Sequence, residues 1–221
     1  MPKSVLSKQL DEIQRTLTPV LSARDFRKKG RTYNRSTDDT LIHVVNIQMG
    51  PSDPPGTTYI PGLRENMYGL FTINLGVYVP EVADLHEGER PKAYVREYNC
   101  SIRARLGELD GNRQDIWWHI ATGAELASEL ESRFERHGFP FLERFSTRDQ
   151  IVSHFQLYQQ RMKLAACSPP RIVSAVILAV RGDKAQANAL LTQQARETEL
   201  EHHRSYVREL AVKLGVGEIA A

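Results

Sequence analysis

A chain of 221 residues that is 41% hydrophobic and 25% charged has enough apolar material for one sizeable core, which excludes the disordered and fibrous classes. Its 29 basic and 27 acidic residues leave a formal charge of +2, too balanced for bulk attraction to nucleic acid or a membrane, so any electrostatic recognition must come from local clusters. Cys100 and Cys167 lie far apart and lack metal-ligand or CxxC spacing, so they read as reduced thiols of a cytoplasmic protein.

The N-terminus enters a charged amphipathic segment, and the longest apolar-rich stretch is Ile172 to Val180, so neither a signal peptide nor a spanning helix is expected. Ser4 is a candidate cap. Leu6, Leu10, Ile13, Leu17, Val20 and Leu21 follow at steps of three and four, which predicts one helix that kinks or ends near Thr18 because Pro19 lies in its last turns. After Gly30, residues 31–35 and 41–49 read as strands joined by Ser36-Thr37-Asp38-Asp39. Residues 50–65 are rich in Gly, Pro, Ser and Asp and read as the longest loop, a surface insertion or a binding segment.

In Phe71-Thr72-Ile73-Asn74-Leu75-Gly76-Val77-Tyr78-Val79 the odd positions are large and apolar and the even ones polar, small or amphipathic, the pattern of a half-buried strand. A helical turn is predicted near Val82 to His86. Further strands are predicted at 93–98, 100–106 and 116–120, with a turn through Asp110-Gly111-Asn112. No connection before residue 123 is long enough for a crossover helix, so an antiparallel meander is expected.

Beyond Thr122 the pattern turns helical. Leu126, Leu130 and Phe134 recur one turn apart, and His137-Gly138 reads as the helix end. Thr147-Arg148-Asp149-Gln150 has capping-box spacing before Ile151, Phe155 and Tyr158. After Ser168-Pro169-Pro170, the stretches Ile172–Val180 and Ala185–Leu214 predict a helical hairpin turning at Arg181-Gly182-Asp183. The expected class is α+β: an antiparallel meander sheet with an N-terminal helix packed on it and a C-terminal helical region. Residues 1–165 form the sheet domain, and the hairpin of residues 166–221 packs on it as part of one cooperative unit.

Three segments, Phe26 to Arg35, Val44 to Gln48 and Phe71 to Tyr78, together resemble a bacterial family known as domain of unknown function 4304. Cys100-Ser101-Ile102-Arg103-Ala104-Arg105-Leu106-Gly107 and Asp115-Ile116-Trp117-Trp118 resemble it too, over about residues 4–125. The resemblance implies the fold class and brings no activity or catalytic residue.

Placing the polar strand positions on one side gathers Asn46, Gln48, Thr72, Asn74, Tyr78, Arg103 and Arg105 on one sheet face. Arginines among amides and a phenol suit a carboxylate or phosphate, and the alternatives are a solvated face or one covered by the C-terminal helices. The basic run Arg24, Arg27, Lys28, Lys29, Arg31 and Arg35 reads as charge at a helix end, with a weaker reading as a nucleic-acid contact. Glu199 and His202 lack the second Glu-x-x-His of a helical metal site, and His43 reads as a core histidine. His119 has no nucleophile-elbow partner, and no phosphate loop or dinucleotide fingerprint occurs. Of Trp117 and Trp118, adjacent and so facing opposite ways, one enters the core and the other is expected under the C-terminal helices.

No catalytic residue, metal or cofactor is expected. The reading is a non-catalytic protein-binding or immunity-type accessory protein with a protein partner. The alternative is an anion-binding or nucleic-acid-binding protein, acting on phosphodiesters through Arg31, Arg103 and Arg105; membrane binding is not expected, and nucleic acid ranks below a protein partner.

Overall fold

The computed structural model describes residues 4–51, 58, 60, 66–85, 94–111, 115–120, 124–157 and 169–219. The greater part of the 50–65 loop, position 93, Asn112, Tyr158, the expected boundary at 165/166 and Cys167 lie outside the described residues. Ser4 starts the first helix, α1 (Val5–Ser22), by accepting a hydrogen bond from the Ser7 amide at 3.1 Å. The predicted stripe is buried at Leu10, Ile13, Leu17 and Leu21. Pro19 does not end the helix at Thr18. The Thr18 hydroxyl donates to the Gln14 carbonyl at 2.8 Å and supports the turn in which proline removes a backbone donor.

The strands are β1 (Arg27–Lys29), β2 (Thr32–Ser36), β3 (Ile42–Met49), β4 (Leu70–Tyr78), β5 (Ile102–Arg105) and β6 (Trp118–His119). All pairs are antiparallel and the order is β1-β2-β3-β4-β5, with β6 also pairing β4. The meander is therefore as expected, with three differences. The basic segment Arg27–Lys29 is an edge strand, where charge discourages pairing with another chain. Residues 94–96 form no strand and Glu97–Asn99 is a single 3-10 turn. The last strand contracts to Trp118–His119, pairing only with Leu70 and Phe71.

β4 is covered on both faces, because the chain from Tyr94 to Cys100 crosses the far half of the polar side. Val95 and Cys100 pack there with Val44 and Tyr78 in a small second core. Glycine at position 76 makes this possible: a Cβ there would sit 2.6 Å from Cys100 Sγ.

The other face of β4 carries Phe71, Ile73, Leu75 and Val77, and one apolar cluster joins these to α1 and to the helices that follow. A short helix, α2 (Pro80–Ala83), follows β4. Gly138 does not close α3 (Ala124–Arg133). A π-helical turn, Phe134–Gly138, carries the helix on into α4 (Phe139–Glu143), and Gly138 keeps helical dihedrals. Pro140 has no amide to donate, which fits the irregular turn before it. Gly138 is there for space, since a Cβ would meet Leu106 Cδ1 at 2.9 Å and Phe134 at 3.0 Å.

Both arms of the predicted capping box form before α5 (Arg148–Leu157): Gln150 N to Thr147 Oγ1 at 3.2 Å and Thr147 N to Gln150 Oε1 at 2.9 Å. Arg148 makes a two-pronged bond to Glu81 of α2, Nε to Oε1 at 2.6 Å and Nη2 to Oε2 at 2.8 Å, and its amide donates to Asp39 at 2.6 Å. The turn at Gly182 lies between α6 (Pro170–Val180) and α7 (Lys184–Glu197), with Asp183 capping the Gln186 amide at 3.1 Å. The second arm is not continuous, because Thr198–Leu200 breaks it before α8 (Glu201–Leu214). No glycine or proline marks the break. It lets Leu190, Leu191 and Ala195 of α7 and Val207, Leu210 and Ala211 of α8 all join the core cluster, while Arg204 Nε bonds the Thr198 carbonyl at 3.1 Å.

His43 is the core histidine its position predicts, fully buried on the helix-facing side of β3. Its Nε2 donates to the Phe145 carbonyl at 3.2 Å, and its Nδ1 accepts from Arg35 Nη2 at 2.8 Å; Arg35 in turn bonds Glu143 at 2.5 Å. Burial, with the Arg35 charge adding to it, pulls the imidazole from 6.5 down to about 4. The ring is thus neutral when folded and takes a proton more readily when unfolded. The His43 contribution to stability is expected to be full above pH 6.5, to fall as pH drops toward 4, and to level off below that, by about 3 kcal/mol in total. Urea melts across that range should show the slope, and H43Q should remove that component; an unchanged slope would mean other groups carry it.

Candidate functional site

The sheet register decides which polar residues meet. Thr32 lies opposite Asn46, Asn46 opposite Asn74, and Asn74 opposite Arg105, so one row crosses β2 to β5 on the face away from the helices. Gln48 and Thr72 form the next row, and Gly76 with Arg103 the row on the other side. The sequence-derived residues therefore share a face. Side-chain hydrogen bonds link them: Asn74 Nδ2 to Gln48 Oε1 at 2.7 Å and to Asn46 Oδ1 at 3.4 Å, and Asn46 Nδ2 to Thr32 Oγ1 at 3.0 Å. These bonds fix the amides in place, with Asn74 5% exposed and Gln48 exposed.

Tyr78 shares the face and is as buried as Asn74, but it packs with Val44, Val95 and Cys100 in the second core. Arg103 is also engaged, its Nε donating to Glu97 of the crossing segment. Arg105 donates from Nη1 to Asp115 and lies over the Trp117 ring, 5.3 Å from its centroid. The same Asp115 carboxylate accepts the Trp117 indole N–H at 2.9 Å, closing a three-residue cluster beside Asn74.

The tryptophans divide as alternation requires, but not as the helix layer was expected to place them. Trp118 is buried on the helix side, tilted against Phe71 at 5.8 Å, with its indole N–H on Glu129 at 3.1 Å. Trp117 is half-buried on the polar face, because every helix from α3 onward that enters the core does so from the opposite side. Asp115 and Glu97 were not legible as site residues: each partner is set by where a loop crosses the sheet, and no spacing in the sequence encodes that.

Of the basic run, Arg24 pairs with Glu135 at 2.7 Å, Arg31 with Asp11 at 3.4 Å and Arg35 with Glu143. Arg31 is thus held against α1, away from Arg103 and Arg105, and does not join them. Among the described residues no group of three His, Cys, Asp or Glu side chains could hold a metal ion. His119 lies on the polar face opposite Leu70, and no serine or cysteine bonds it among the described residues. Among the described residues no helix is long and apolar enough to cross a membrane.

The model of a family described as a domain of unknown function (DUF4304) matches residues 63–144. That stretch takes in β4 to α4, and with them Asn74, Arg103, Arg105, Asp115 and Trp117; Asn46 and Gln48 precede it. Comparison with curated proteins and with solved structures gives no match.

Proposed function

We propose that this chain is a non-catalytic protein-binding protein, of accessory or immunity type, whose contact surface is the polar sheet face around Arg105 and Trp117. The observation that supports it is the Arg105–Asp115–Trp117 cluster: a guanidinium over an indole, both tied to one carboxylate and braced by hydrogen-bonded amides. Tryptophan and arginine held in fixed positions are the side chains on which protein contacts concentrate binding energy, since little freedom remains to be lost on association. The internal pairing favours a protein partner over a free anion. An anion would have to displace Asp115 from Arg105 and Glu97 from Arg103, whereas a partner surface can use the paired cluster as it stands.

The test is quantitative affinity capture with the full chain, comparing wild type with W117A and R105E, followed by titration calorimetry with whatever protein wild type alone retains. Each variant should keep its melting temperature and lose about 2 kcal/mol or more of binding, some thirtyfold in Kd. Equal capture by all three proteins would remove the face as the contact surface. Saturable binding of inorganic phosphate that R105E abolishes would move the reading to the anion site.

A further inference from the structure

β1 is shorter than the strand it covers. The Arg31 carbonyl accepts from Ile47 N and the Thr37 amide donates to Leu41 O, both at 2.9 Å, so the odd residues of β2 spend their backbone groups on β3. Alternation then aims the N–H and C=O of Thr32, Asn34 and Ser36 at the outer edge. Lys29 lies opposite Thr32 and Arg27 opposite Asn34, and Ser36 lies beyond the start of β1. The chain preceding β1 cannot reach back to it, because Asp25 is left-handed at φ 63° and the amides of Asp25 and Phe26 bond the carbonyls of Ser22 and Leu21 at 3.1 Å. Ser36 has no backbone partner on that edge among the described residues.

The open edge faces a groove of about 910 Å³ whose lining includes Phe26, Arg27, Ser36, Ile42, Tyr94 and Val95. The Tyr94 hydroxyl bonds the carbonyls of Thr32, at 2.9 Å, and of Arg27, which fixes one lip of the groove. Asp25 is the acidic lining residue; Arg35, also in the lining, is committed to His43 and Glu143. The Arg27 side chain is exposed and has no carboxylate partner among the described residues, as is true of Lys28 and Lys29 next to it.

We propose that this groove receives an extended, acidic segment of a partner protein, which pairs with the β2 edge at Ser36 in line with β1 and sets a carboxylate on Arg27. The N–H and C=O of Ser36 can pair one residue of an extended peptide, a pairing that a nucleic-acid backbone without amides cannot offer, and half-buried Ile42 at the groove wall can meet an apolar side chain beside it. The site is separate from the Arg105–Trp117 face, and W117A tells the two apart.

Fluorescence polarisation with a labelled alternating valine–glutamate octapeptide tests it on the full chain. The expected result is saturable binding that is weakened about tenfold or more by R27E, less by R27Q, and not by W117A, and that is lost when alternate peptide amides are N-methylated. The valine–lysine octapeptide should bind R27E better than wild type. No saturable binding up to about 1 mM, equal binding of the N-methylated peptide, or tighter binding of an oligothymidylate would each overturn the proposal.

Discussion

Replacing Leu75 with alanine is expected to cost about 2–5 kcal/mol of stability, because the deleted atoms leave a cavity that a close-packed core closes only in part. Leu75 sits at the middle of β4, fully buried, between Val45 of β3 and Ala104 of β5 on the helix-facing side. Neither neighbouring strand can move in without breaking the ladder on both sides, so the upper part of that range is expected. Urea melts read it directly: the midpoint should fall while the slope stays that of the parent. A variant melting with the parent would take Leu75 out of the core and the alternation argument with it.

A chain stopped after Ser168 is expected to lose cooperative folding altogether, a loss on the scale of a whole domain's stability, about 5–15 kcal/mol. The stop removes α6, whose residues Ile172 to Ala179 are all buried, together with α7 and α8. α6 packs against α2, α5, α7 and α8, so its removal uncovers apolar surface on α2 and α5. Aggregation or a broad, early melt is the expected outcome. Because such a truncation need not fold, the full chain supplies the second reading: tryptophan fluorescence, which reports Trp117 and Trp118 at the sheet, and helical circular dichroism should melt together. Separate transitions, or a well-folded truncation with the parent's melting temperature, would make the C-terminal helices an independent unit.

The polar face shows where sequence reading stops. Arg103 and Arg105 share a face because both are odd positions of one strand, which is a local fact. That they stand beside Gly76 and Asn74 depends on pairing register, which a one-residue slip would reverse, and the observed register keeps them together. That neither is free for a ligand depends on Glu97 and Asp115, delivered by loops on either side of β5. Tyr78 passed the same alternation test as Asn74 and is equally buried, but in an apolar core instead of a hydrogen-bonded row, because Val95 and Cys100 cover its end of the sheet.

Legible from the residues alone is what repeats along the chain: the stripe of α1, the alternation of β4, the capping box of α5, the turn at Gly182 and the absence of crossover connections that makes the sheet a meander. These follow from periods of 3.6 and 2 and from side chains that bond their own neighbours, interactions spanning a few residues. Long-range packing set the rest. Gly138 looks like a helix end and is a spacer under Leu106, the α7–α8 break carries no breaker residue, and Trp117 left the helix side for Arg105. In each case the outcome was set by contact with a segment distant in sequence or by the packing of whole elements, and no local pattern records which segments will meet.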